Sequence, residues 1–201
     1  MFASIAVIGG TLALIILVAF LNYRHSKGTK KVLRQFLDEE QEANTVRRKE
    51  IEPELFFEAD LNGLPGLPEG DPHRVMRCAR RKMIRFNMPM SNLELKKKYG
   101  PSQIETIVQY EENYNEYLRA LVSWGTALVK ENKTDDAVVV LKAVISLGVE
   151  IRGPYKLLAD VYAVRRDARG FDELKEWVNT NHFRDQTVKN HIIEYVNQQA
   201  G

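Results

Sequence analysis

The sequence predicts an all-α chain: an N-terminal transmembrane helix, a charged stalk, then a stack of helical hairpins closed by a C-terminal capping helix. Three observations predict it. Residues 2–21 contain no charged side chain. Lys30 to Glu50 is dense in charge, with its few apolar residues at helical spacing. From Pro72 onward apolar residues keep a helical period, with no clear strand signal. The division that follows is a transmembrane helix over 1–23, stalk and linker over 24–70, and a helical domain over 71–201.

The bulk numbers bound the function. The 201 residues are 28% charged, with a formal net charge of +2. That near-neutral balance argues against a general nucleic-acid binder, whose domain is usually visibly basic. The single cysteine, Cys78, can form no internal disulfide, which fits a reducing compartment and an inert helical thiol.

In the first element only Ser4, Gly9, Gly10 and Thr11 interrupt the apolar run. At helical rise twenty such residues extend about 30 Å, the thickness of a bilayer's hydrocarbon core. A cleaved signal peptide is the rival. It needs a basic start and a small-residue exit, and this chain starts with "MFAS" and has bulky Phe20, Leu21 and Tyr23 at the exit of the run. Arg24, Lys27, Lys30, Lys31 and Arg34 follow the span and no basic residue precedes it. The positive-inside rule then puts the N-terminus outside and the C-terminal domain in the cytoplasm. The same five residues suit either this topogenic role or contact with anionic head groups.

The stalk reads as a solvated helix with a short apolar patch, Val32, Leu33, Phe36 and Leu37. "ADLNGLPGLPEGDP" then forbids regular structure. "LFF", Leu55 to Phe57, is apolar for a tether, and reads as an arm packed back on the domain or as an exposed docking motif.

Asp71 as N-cap and Pro72 at the first helical position open the next helix, predicted to run through Phe86. On it Val75, Met76, Ala79, Met83 and Phe86 share an arc. Arg74, Arg77, Arg81 and Arg85 fall opposite, either as a solvated face or as a contact for acidic partners or lipid head groups. Ser91 with Glu94, and Ser102 with Glu105, make two capping boxes. Residues 102–130 form one long helix or two that meet near Asn113–Asn115. Tyr110, Tyr114, Tyr117 and Trp124 make an aromatic stripe, read as core or as a groove for a partner's peptide.

"LVSWGTALVKENKTDDAVVVLKAVISLG" is the most informative stretch. By propensity "AVVVL" suits a buried strand, but register favours helices. Leu121, Trp124, Gly125 and Leu128, followed by Ala137, Leu141 and Val144, have the large and small residues of two closely crossing helices. Tyr155, Leu158, Ala159 and Tyr162 come 34 residues after the first four. This pattern resembles the tetratricopeptide repeat, over repeats at about 118–151 and 152–185 with a cap at 186–199. Val149 stands where that family often has Pro, and Phe171 where it has a small residue. The resemblance implies a TPR-like α-solenoid that binds protein partners.

No segment has the spacing of a catalytic or nucleotide-binding motif, and His25, His73, His182 and His191 are scattered. Asp135 and Asp136 read as N-terminal helix acids. The chain is therefore expected to be non-enzymatic, with no cofactor, metal or small-molecule substrate. Two functions follow: a membrane-anchored adaptor for protein partners, or a constitutive structural subunit of a larger membrane complex.

Overall fold

The computed structural model describes residues 30–66 and 71–200. Among them no helix is long and apolar enough to cross a membrane. The helical class is retained, and the transmembrane helix is withdrawn from the fold; the segment assigned to it, 1–23, lies outside the described residues. The longest of the described helices, Ile104–Lys130, has 27 residues. Its length, about 40 Å at helical rise, would span a bilayer. It carries Glu105, Glu111, Glu112, Glu116, Arg119 and Lys130, and their desolvation bars it from lipid.

The chain divides into two compact units. The first holds residues 30–51 and Met88–Thr106. Helix α1 covers 30–44. Its first turns are solvated, as the charge density predicts, and leave Val32, Leu33, Phe36 and Leu37 exposed. Its last turns are not a free stalk. Ala43 is fully buried, and Glu39 and Glu40 pair with Lys97 (2.7 Å) and Lys96 (2.6 Å) of a later helix. The backbone that follows is tied down as well: Lys49 N–H donates to Tyr99 O (3.0 Å) and Gln103 Nε2 donates to Lys49 O (3.1 Å). Gly100, at φ +84°, lets the carbonyls of Val46 and Arg47 approach to where a Cβ would sit only 2.8 Å away, so a glycine is required there.

The predicted Ser91–Glu94 capping box is present. Ser91 N–H donates to Glu94 Oε2 (2.7 Å), Glu94 N–H donates to Ser91 Oγ (3.3 Å), and helix α3 runs Asn92–Tyr99. Ser91→Ala is expected to destabilise the chain by about 0.5–2 kcal/mol, read as a lower denaturation midpoint. The Ser102–Glu105 box does not open a helix. After Gly100 and Pro101 the backbone takes a 3-10 turn over Pro101–Gln103, and Ser102 lies inside it.

The second unit holds Glu52–Asn87 and residues 107–200. Beside its helices it holds a two-residue antiparallel ladder, β1 (Phe56–Phe57) on β2 (Met83–Ile84). The helix expected through Phe86 is α2, Asp71–Ala79, and stops seven residues early. Non-local bonds outcompete the local helical period here. Arg85 N–H donates to Leu55 O (2.9 Å), and the buried Asn113 side chain donates to Lys82 O (2.9 Å). The apolar arm "LFF" thus packs on the chain itself. Phe57 lies 4.9 Å from the Tyr114 ring and 5.9 Å from that of Tyr117, and Phe56 lies 6.1 Å from Tyr110. The tyrosine stripe therefore receives the chain's own arm.

Residues 102–130 contain one helix, α4 (Ile104–Lys130), not two. Four helices follow: α5 (Thr134–Ser146), α6 (Arg152–Arg165), α7 (Ala168–Thr180) and α8 (Gln186–Ala200). Helix α6 packs against α5, α7 and α8. Tight turns separate them, with Asn132 (φ +60°) after α4 and Arg166 (φ +53°) after α6 in the left-handed region. The starts of α5 and α7 are 34 residues apart, as are those of α6 and α8. Burial repeats with the same step: Trp124, Leu158 and Ile192, then Leu128, Tyr162 and Val196, are all buried.

Candidate functional site

Every residue expected to pack the repeats is buried: Leu121, Trp124, Gly125, Leu128, Ala137, Leu141, Val144, Tyr155, Leu158, Ala159 and Tyr162. The close approach on α4 is between Gly125 and Leu141. A Cβ built on Gly125 would lie 2.8 Å from Leu141 Cδ2 and 3.1 Å from its Cγ. In the second hairpin the small crossing residue is Gly170, one position before Phe171. A Cβ there would lie 2.6–2.8 Å from three ring atoms of Tyr162. Asp167 fixes that turn by accepting from Gly170 N–H (2.9 Å). With Gly170 beneath it, the Tyr162 ring lies flush on α7.

A cleft of about 270 Å³ opens where α5, α6 and α7 meet. Its apolar wall is Ile145 from α5, Leu158 from α6, and Leu174 and Trp177 from α7. Its polar groups are Lys142, Ser146, Tyr162 and Glu173. Lys142 Nζ donates to Glu173 Oε2 (2.8 Å), and Arg169 Nε donates to the other carboxylate oxygen (3.1 Å). These bonds hold the Glu173 carboxyl below its ordinary range, the Lys142 bond first, and the same bond raises the Lys142 ammonium. Both groups are about half exposed, so the pair contributes little to folding.

Tyr162 is different, with only 1% of its surface exposed and its hydroxyl buried, its own proton without an acceptor among the described residues. Lys142 acts on that oxygen by its charge and by a side-chain hydrogen bond, both of which lower the pKa. Burial nevertheless dominates and pushes the phenol's pKa up, keeping it a neutral donor. A buried hydroxyl proton lacking an acceptor costs on the order of 1–3 kcal/mol. By contrast, the buried Tyr155 hydroxyl donates to Val149 O at 2.7 Å. From the sequence, Tyr162 and Leu158 read only as packing residues. Lys142, Glu173 and Trp177 carry no motif and become neighbours only through helix register.

The predicted arginine stripe is not a helix face. Arg74 and Arg77 lie on α2, Arg81 in the turn after it, and Arg85 beyond β2. All four are exposed, and Arg81 pairs with Glu116 of α4. Arg77→Glu is expected to shift stability by no more than about 0.5 kcal/mol, and Arg81→Glu by about 1 kcal/mol or less, in a chemical denaturation series. Of the basic residues after the apolar run, Lys30, Lys31 and Arg34 are exposed on α1, and Arg24 and Lys27 lie outside the described residues. His73, His182 and His191 are exposed as well. Among the described residues no group of three or more His, Cys, Asp or Glu side chains is placed to hold a metal ion.

Compared with known proteins, the chain matches no family model, no curated protein and no solved structure.

Proposed function

We propose that this chain is a non-enzymatic adaptor whose tetratricopeptide-like hairpins, α4 to α8, bind a protein partner. The observation that supports the reading is the 34-residue recurrence of helix starts and buried positions, in α5 and α7 and again in α6 and α8. A helical stack of this kind buries each hairpin only against its neighbours and leaves grooves between successive helices for ligands. The cleft between α5, α6 and α7 is such a groove.

The test is purification of the full chain in mild detergent at rising ionic strength, followed by native mass spectrometry. An adaptor gives free chain together with a partner that dissociates on dilution. A stoichiometric complex that survives dilution makes the chain a constitutive structural subunit instead. Free chain with no partner under every condition contradicts both.

A further inference from the structure

We propose that the α5–α6–α7 cleft is a docking pocket for one tyrosine side chain of a protein partner, an inference that rests on the adaptor reading above. An apolar cavity of about 150 Å³ already accepts benzene. A cleft of about 270 Å³ therefore holds an aromatic ring, its β-carbon and one oxygen. Small-molecule sites commonly begin near 300 Å³, so the space suits a single anchoring side chain better than a larger free ligand.

The distribution of polar atoms selects which side chain. Ile145, Leu158, Leu174 and Trp177 give a ring apolar and aromatic contact. The Tyr162 hydroxyl offers an unused proton, and the Glu173 carboxylate beside it accepts one. A phenol answers both, since its oxygen accepts from Tyr162 while its own O–H donates to Glu173. Phenylalanine leaves the Tyr162 hydroxyl unsatisfied. A lone lysine, arginine or carboxylate head finds no net charge to meet, because Lys142 and Glu173 already pair with each other. The half-exposed Lys142–Glu173 pair marks the solvent side of the cleft, where the partner's backbone leaves it.

The experiment uses the purified full chain and follows the methyl resonances of Ile145 and Leu174 during titration with N-acetyltyrosinamide, N-acetylphenylalaninamide and p-cresol. N-acetyltyrosinamide is expected to bind in the millimolar range and about three- to tenfold more tightly than its phenylalanine analogue, the margin of one net hydrogen bond. Tyr162→Phe should equalise the two. Leu174→Trp should abolish both, with circular dichroism showing the helices intact. If Leu174→Trp does not fold, Tyr162→Phe carries the test alone, and Arg77→Glu, exposed on α2 and outside the cleft, should retain the tyrosine preference.

Equal affinities on the unaltered chain, no methyl shift with either amide, or a preference that persists in Tyr162→Phe overturns the proposal. Binding of p-cresol with exclusion of the amides assigns the cleft to free phenols and also overturns it. If the amides fail while a partner still co-purifies, the pocket falls and the adaptor stands. If they bind while no partner is recovered, the adaptor falls and the tyrosine preference of the cleft remains.

Discussion

Trp124→Ala is expected to cost about 3–5 kcal/mol. For a protein of this size that lowers the melting temperature on the order of 10 °C. The indole is 2% exposed and lines the same space as Leu61, Leu64, Val75 and Met76, so it joins α4 to α2 and to the Gly/Pro-rich connection. Alanine removes that contact and leaves a void that a rigid helical frame refills poorly. Trp124→Phe keeps most of the apolar area and should recover more than half of the loss. A thermal denaturation series on the three chains checks this. A Trp124→Ala chain that melts within a degree of the unaltered one would mean that the indole is not a core residue.

Gly125→Leu is the second. The sequence suggests a helix crossing at Gly125, where leucine costs about 1–3 kcal/mol and alanine costs little or even helps. The geometry sharpens this and changes the alanine term. A Cβ at 125 meets Leu141 Cδ2 at 2.8 Å, and Leu141 is fully buried. Helix propensity favours alanine over glycine by about 1 kcal/mol, but Leu141 has to leave its well-packed position to admit it. Alanine is therefore expected to destabilise by about 1 kcal/mol and leucine by about 3 kcal/mol or more. The order glycine, alanine, leucine in denaturation midpoint checks it, and an alanine chain more stable than the unaltered one contradicts it.

What the sequence made legible was local or periodic. The 34-residue register locates the large side chains of the helical stack because burial repeats with each hairpin, and the Ser91–Glu94 box is a contact between residues three apart. The rest depends on partners distant in the chain. The helix opened at Asp71 keeps its apolar period through Phe86, yet it stops at Ala79 because Phe56–Phe57 supplies a strand to pair with Met83–Ile84. With the helix gone, the four arginines lose their common face. In the second hairpin a crossing position counted from Ala137 falls on Phe171, while Gly170, one residue earlier, sits under the Tyr162 ring. A one-residue offset of this kind leaves the apolar pattern of α7 unchanged, so no periodicity reveals it. The cleft is likewise invisible in the sequence. Lys142, Tyr162 and Glu173 come from three helices, and what distinguishes Tyr162 from Tyr155 is a missing hydrogen bond rather than a residue type.

That the cleft between α5, α6 and α7 receives a protein partner can be tested most directly by placing a photoreactive amino acid at position 146, on its rim, in the full chain. A second chain carries the same group at position 112, on the exposed side of α4. Irradiation in cells should give one dominant protein adduct from position 146 and none from position 112, the adduct disappearing when Leu174→Trp fills the cleft. No adduct from position 146, or the same adduct from both positions, would contradict a partner-binding cleft.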